Sequence, residues 1–293
     1  AELEAALGAG VVVNVESPNE LERLAAIGDR SGIRPRVAIR VNPDFELRSS
    51  GMRMGGGATP FGIDAEQVPG VLERADQLEV LFEGLHIYAG SQNLDGRAIA
   101  DAQLRGLELA LSLLARAPTA PRFINLGGGF GIPYFPGDRP LELAPIADAL
   151  ATAQDRLAAT HADAALVVEL GRYIVGEAGL YVCQVIDRKV SRGRVFLITD
   201  GGLHHHLAAS GNFGQVLRKN YPVLVGTRVH GESREVVSVT GPLCTPLDIL
   251  ADRMEMASAR PGDLVAVFQS GAYGASASPI NFLGHPPPAE VLI

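Results

Sequence analysis

A chain of 293 residues has room for two domains, or for one large α/β domain with an appendage. Apolar residues at 47% against 20% charged exclude wholesale disorder. The 33 acidic against 25 basic residues, a net charge of -8, leave no basic patch for a nucleic-acid backbone.

Two cysteines, Cys183 and Cys244, are too few for a disulfide framework, and a reducing, cytoplasmic compartment is the expectation. No apolar run reaches the roughly 18 residues that a membrane span needs. The chain opens without Met, inside a helical pattern of Glu2, Leu3, Ala5, Ala6 and Leu7 that Gly8 and Gly10 stop. It shows no basic-then-apolar leader there. The expectation is a chain that lacks its true beginning.

In chain order, residues 11–15, 36–41, 80–88, 122–126 and 166–170 read as strands, apolar on both faces as covered parallel strands are. Helices are expected between them at 18–27, 64–77, 99–116 and 143–157. The first of these follows Ser17 as N-cap, with Glu20 completing a capping box. This is the strand–loop–helix grammar of a barrel or an open α/β sheet. After Gly171 the pattern changes. Strands are expected at 175–189, 194–199, 223–227, 234–240 and 264–269, in a mostly antiparallel β domain with its seam near 171–176.

Six segments invite a chemical reading. Asn125-Leu126-Gly127-Gly128-Gly129-Phe130-Gly131 follows a strand and exposes successive N–H groups, which suits an anion or a plain tight turn. Glu169 and Arg172 stand three apart at a strand end, as a structural ion pair or as a carboxylate for a heteroaromatic nitrogen beside a phosphate-binding arginine. His86 and Tyr88 alternate on a strand and share a face, followed by Ser91, a possible anion donor; a buried, satisfied His86 is the simpler reading. Cys244 lies in a Gly/Pro-framed loop, as an acid, a nucleophile or an inert core thiol. Tyr273 follows a strand, and an ordinary packed tyrosine explains it alone. His204, His205 and His206 are consecutive, share no face and match no zinc spacing, so no metal is expected.

Taken together, these segments resemble the fold-type III pyridoxal-phosphate decarboxylases, the group of the diaminopimelate and eukaryotic ornithine decarboxylases. Residues 86–92, 202–214, 241–248 and 271–279 look most like the branch associated with exosortase A systems, relatives of enzymes acting on carrier-tethered acyl groups. The resemblance spans essentially the whole chain. It implies a partial (β/α)8 barrel over residues 1–172, lacking its first units, and a mostly antiparallel β domain over residues 173–293. It implies pyridoxal 5′-phosphate as cofactor and a homodimer with shared active sites.

By the same resemblance, Gly127, Gly128, Gly129, Ser91, Arg172 and Tyr273 surround the cofactor phosphate and Glu169 pairs with the pyridine nitrogen. Cys244, from the partner subunit, returns a proton after CO2 leaves. Asp200 and Gly201 match the start of a second-domain motif. Where relatives stack a histidine on the ring, this chain has Tyr88, which also stacks by its face. Where they place an acid after the cysteine, it has Thr245. That change disfavours a second ammonium group on the substrate and favours an amide, thioester or carrier-linked acyl end, with His86, Thr245 and Asp248 as substrate-side candidates. The family's Schiff-base lysine has no counterpart here, since Lys189 and Lys219 are the only lysines and both lie in the second half. The resemblance thus implies a decarboxylase. A racemase of the same cofactor class, or an inactive binding protein or fragment, are the alternatives. No Gly-x-Ser-x-Gly elbow supports a hydrolase.

Overall fold

The computed structural model describes residues 1–47, 51–213, 215, 217–230 and 233–293. The chain forms two compact units, one of Ala1–Gly131 with Pro140–Leu170, the other of Ile132–Arg139 with Gly171–Ile293.

The first unit runs α1 (Glu2–Gly8), β1 (Val13–Val15), α2 (Pro18–Ser31), β2 (Arg36–Asn42), β3 (Met52–Arg53), β4 (Ile63–Asp64), α3 (Val68–Gln77), β5 (Leu81–Ile87), β6 (Gly90–Ser91), α4 (Gly96–Leu114), β7 (Phe123–Asn125), α5 (Ala144–Thr160) and β8 (Ala165–Val167). Strands pair in the order β1-β2-β5-β7-β8, with β4 also beside β2, and every pairing in this sheet is parallel. A parallel sheet needs helical crossovers, and α2, α3, α4 and α5 supply them. The apolar strand runs meet the helix stripes in one core that includes Leu21, Leu24, Ile39, Leu72, Leu85, Leu107, Ile124 and Leu157. This is the barrel-like α/β sheet that the alternation predicts.

Local chemistry sets the helix starts. Ser17 Oγ accepts from Glu20 N–H at 3.1 Å, while the Glu20 carboxylate accepts from Glu16 N–H at 2.9 Å rather than from the cap residue itself. The helix expected from residue 64 begins at Val68, because Ile63 and Asp64 pair with Val41 and Asn42 as β4. The helix expected from residue 99 begins at Gly96, because Asp95 Oδ1 caps the N–H groups of Arg97 and Ala98.

The second unit runs α6 (Arg172–Val175), β9 (Tyr181–Ser191), β10 (Arg194–Thr199), β11 (Val223–Val225), β12 (Arg234–Thr240), β13 (Ile249–Ala257) and β14 (Leu264–Val267). The sheet order is β11-β14-β9-β10-β12-β13, antiparallel except for the β10–β12 pair. Arg192 (φ 50°) and Gly193 (φ 78°) turn the chain between β9 and β10, as a tight hairpin requires. The strand expected from residue 175 starts at Tyr181, since Arg172–Val175 and Gly176–Ala178 are helical turns. Ile132 and Tyr134 join Val185, Leu197, Val237, Val239, Leu250 and Val265 in this unit's own core. No helix among the described residues is long and apolar enough to cross a membrane.

Candidate functional site

In parallel strands, registered residues share a face. Arg40 on β2 registers with His86 on β5, His86 with Asn125 on β7, and Asn125 with Val167 on β8. Glu169 lies two residues beyond Val167. A row of polar side chains therefore crosses the carboxyl ends of four adjacent strands, where α/β folds place their ligands. Glu16, just past β1, extends the row through its carboxylate, 2.6 Å from Arg40 Nη1.

Glu169 is the focus of the row. Asn125 Nδ2 donates to Glu169 Oε1 at 2.8 Å, and His86 Nε2 lies 3.3 Å from the same oxygen. His86 is 4% exposed, whereas the Glu169 side chain is 47% exposed. The His86 contact is the main reason the Glu169 carboxyl is held below the usual carboxylate range; burial opposes it, and Asn125 and Arg40 add to the lowering. Glu169 is thus an anion near neutral pH, with one oxygen tethered. The approach of His86 Nε2 lacks hydrogen-bond alignment, and Nδ1, also buried, has no hydrogen-bond partner among the described residues. The simple reading of His86 as a satisfied core histidine therefore fails.

The glycine loop follows β7 directly. Gly127 (φ 67°) and Gly129 (φ 85°) adopt a left-handed backbone that favours glycine. A Cβ on Gly127 would lie 2.5 Å from the Tyr88 ring, and one on Gly128 would overlap the Glu169 carbonyl oxygen. Close approach of neighbouring backbone thus explains the glycines, as a tight turn would. The anion reading has separate support. Gly127 N–H donates to Asn125 Oδ1 at 2.8 Å, but the N–H groups of Gly128 and Gly129, both buried residues, have no acceptor among the described residues. Buried donors without acceptors are rare, and a phosphate oxygen is the kind of group that satisfies them.

The loop after β5 is zipped to this one. Asn93 N–H donates to Gly129 O at 2.8 Å, and Gly131 N–H donates to Asn93 O at 2.9 Å. Tyr88 is half-buried beside Gly127, and Ser91 is buried on β6. Tyr88, Gly127, Gly128, Gly129, His86 and Glu169 thus lie on loops or strand ends of one parallel sheet, and Ser91 lies on β6, which pairs antiparallel with β3 in a separate two-stranded sheet.

Arg172, Tyr273, Cys244, Thr245 and Asp248 belong to the second unit. The Arg172 guanidinium lies 4.6 Å from the Tyr273 ring centroid and 5.8 Å from that of Tyr134. Tyr273 itself is left-handed (φ 56°) and 40% exposed. Burial pushes the Tyr134 hydroxyl up, with Arg172 opposing.

Cys244 is exposed. Thr245 Oγ1 accepts from Leu247 N–H at 3.3 Å, so it shapes its own turn. Asp248 is 2% exposed, and its carboxylate accepts from Leu203 N–H at 2.6 Å and Leu243 N–H at 2.8 Å. Those bonds give Asp248 a task other than the suggested amine partner: it pins the segment before His204 to the Cys244 loop. A Cβ at Gly202 or Gly241 would collide with that carboxylate, which ties two sequence motifs into one structure.

The three histidines have separate surroundings. His205 lies between Tyr181 Oη at 3.1 Å and Pro286 O at 2.8 Å. His206 Nδ1 accepts from Ala209 N–H, so Nε2 carries the hydrogen and donates to Ser270 Oγ at 2.9 Å. A serine that receives this hydrogen bond is not activated as a nucleophile. Burial lowers both His204 and His206 to about 4. Among the described residues no group of three His, Cys, Asp or Glu side chains is placed to hold a metal. Lys189 and Lys219 are both exposed, and Lys219 Nζ lies 5.2 Å from the Phe135 ring centroid.

Sequence reasoning missed Asn125 as a site residue, and with it Arg40, Glu16 and Tyr134. Asn125 was visible as the polar residue before the glycine run; its register with His86 was not.

Residues 1–176 match the family model described as "Pyridoxal-dependent decarboxylase, pyridoxal binding domain". The chain is 38% identical, over 99% of its length and 69% of the relative's, to the L-glutamyl-[BtrI acyl-carrier protein] decarboxylase of Niallia circulans. It is 31% identical, over 97% of its length and 65% of the relative's, to the diaminopimelate decarboxylase of Aquifex aeolicus. Its structure resembles that of a mutant diaminopimelate decarboxylase of Helicobacter pylori complexed with L-lysine, with a TM-score of 0.83, 27% identity and coverage of 98% of this chain and 69% of the other. The chain spans about two thirds of the length of these relatives. With the polar row and open glycine loop at the strand ends, these likenesses lead to one conclusion: the chain belongs to the pyridoxal-dependent decarboxylase family of the diaminopimelate and ornithine decarboxylases.

Proposed function

We propose that the intact protein binds pyridoxal 5′-phosphate and removes the α-carboxylate of an amino-acid unit carried as an acyl group on a carrier protein. The observation that carries the cofactor reading is the pairing, at neighbouring strand ends, of two open N–H groups at Gly128 and Gly129 with a tethered, half-exposed anion at Glu169. An anion site and a carboxylate within one loop system suit a ligand with a phosphate at one end and a basic ring nitrogen at the other.

When bound, the cofactor supplies an electron sink for the pair left behind as CO2 departs. The chain's own residues supply these parts of the site, the Schiff-base lysine not among them. Glu169, kept ionised, holds a proton on the ring nitrogen. Gly127, Gly128, Gly129 and Ser91 bind the phosphate, and Tyr88 lies against the ring face. Arg172 and Tyr273 carry the roles that the family resemblance gives them. Cys244 delivers the proton that replaces CO2, reaching the site of the other subunit in a homodimer.

Carrier linkage rests on two supports. Thr245 stands where an acid would hold a distal ammonium group, and it is engaged by its own turn. The 38% identical relative is by name a decarboxylase of an L-glutamyl group on an acyl-carrier protein. Assignment to the exosortase A-associated branch belongs to the same reading and rests on the four motif stretches alone.

The test is release of labelled CO2 from α-carboxyl-labelled substrates by the intact protein with pyridoxal 5′-phosphate. Faster release from a carrier-bound glutamyl or similar aminoacyl group than from meso-diaminopimelate or ornithine is expected. Efficient turnover of free meso-diaminopimelate would sink the carrier reading. Racemisation without CO2 would sink the decarboxylase reading.

A further inference from the structure

One side chain connects the two ends of the proposed site. Asn125 Oδ1 accepts from Gly127 N–H at 2.8 Å, and its Nδ2 donates to Glu169 Oε1 at 2.8 Å. The first bond fixes the orientation of the amide, since a backbone N–H needs an oxygen. The NH2 group must then face the carboxylate. The backbones are already joined, by Glu169 N–H to Gly127 O at 2.8 Å and Leu126 N–H to Val167 O at 2.9 Å. What the amide adds is the rotation of the carboxyl group: Asn125 and His86 converge on Oε1 and leave Oε2 as the free acceptor.

We infer that Asn125 is a positioning residue. It sets the direction of the Glu169 carboxylate relative to the glycine loop, so that a ligand's phosphate and ring nitrogen are met in register. This rests on the pyridoxal-phosphate reading above and goes beyond it, because it assigns a function to a residue that acts through its bonds to Gly127 and Glu169. An aspartate at this position would keep the bond to Gly127 but bring a second carboxylate against Glu169. Two carboxylates that close do not both stay ionised; the pair takes up a proton, and the ring nitrogen loses its full counter-charge.

The experiment measures binding. Dissociation constants are determined for the intact wild-type protein, Asn125→Asp, Glu169→Gln and the double variant, with two probes. One probe is pyridoxal 5′-phosphate; the other is its analogue with the ring nitrogen replaced by C–H. Asn125→Asp is expected to weaken pyridoxal 5′-phosphate about tenfold or more and the analogue less than twofold, on the scale of one charge-assisted hydrogen bond. In the Glu169→Gln background the same substitution is expected to change the first constant less than twofold.

Equal weakening of both probes, no weakening, or a full effect without the Glu169 carboxylate would each overturn the inference. A wild-type protein that binds neither probe would overturn the functional reading as well, so the two failures are distinguishable. If Asn125→Asp does not fold, Asn125→Ala is read the same way. It loses the tether without adding charge, so a smaller but still probe-dependent loss is expected, and an equal loss on both probes overturns the role.

Discussion

Gly128→Ala should damage the site through one backbone contact. Gly128 has no positive φ, so a left-handed backbone is not the obstacle there. The obstacle is Glu169. A Cβ on residue 128 would overlap the Glu169 carbonyl oxygen and lie 2.9 Å from its carbonyl carbon, and neither atom is the end of a flexible side chain. Ordinary carbon–carbon contact is about 3.5–4.0 Å, so relieving the carbon contact alone parts the two segments by about 0.6–1.1 Å, and the overlapping oxygen demands more. The Glu169 N–H to Gly127 O bond of 2.8 Å cannot survive that displacement. Losing it costs about 0.5–1.5 kcal/mol, and overpacking costs about 1–3 kcal/mol more. The lower unfolded-state entropy of alanine returns about 0.4–1 kcal/mol.

The net loss is therefore about 0.5–4 kcal/mol, with weaker cofactor binding because Glu169 moves. Gly70→Ala is the control: it lies in α3 with nothing within 4 Å of its Cβ, and it should stabilise by about 0.5–1 kcal/mol. Urea unfolding of both variants, with a cofactor titration, checks the pair. A Gly128→Ala protein with wild-type midpoint and affinity would refute the packing argument.

Because the Glu169 carboxyl is lowered, its pairing with His86 stabilises the fold above the ordinary carboxylate pKa and is lost as pH falls through the lowered value. His86→Ala should raise the Glu169 titration midpoint in a carbon-13 NMR titration, and an unchanged midpoint would contradict the assignment. Asp248→Asn turns one of two acceptors toward a backbone N–H as a donor, and should cost about 2–4 kcal/mol in urea unfolding. An unaffected midpoint would show that the carboxylate is not structural. Gln103, 3% exposed on α4, has no hydrogen-bond partner among the described residues for either amide atom. Gln103→Met should therefore raise stability by about 1–3 kcal/mol; a fall would mean that the amide is satisfied in solution.

Much of the fold was legible because burial on both faces leaves a plain signal. β2, β5, β10 and β12 all lie in short runs of Val, Ile, Leu and Phe. β13 was not legible. Its sequence ILADRMEMA places Asp252, Arg253 and Glu255 inside the strand, Arg253 is left-handed (φ 48°), and its pairing with β12 slips register. Those irregularities erase the period-two pattern on which a strand reading depends. Ile132 and Tyr134, in residues 132–139, pack into the second unit's core, a long-range placement that no local pattern signals.

The site divides in the same way. Glycines and a Glu–Arg pair at strand ends are local signals. Arg40, His86, Asn125 and Glu169 become neighbours only through parallel register across strands separated by intervening helices, and no local spacing encodes that. The structural bonds of Asp248 were hidden for a related reason. Its place after Cys244 suggests ligand chemistry, whereas its two backbone bonds become visible only once Leu203 is brought beside it.

The most direct test of the account is the protonation state of the cofactor ring. The intact protein is loaded with pyridoxal 5′-phosphate carrying nitrogen-15 in the ring, and the nitrogen resonance is compared with that of Glu169→Gln. The account predicts a protonated ring nitrogen in the wild type and an unprotonated one in the variant. The same signal in both proteins would mean that Glu169 does not meet the ring, and the site built here from the strand ends of the first unit would be wrong.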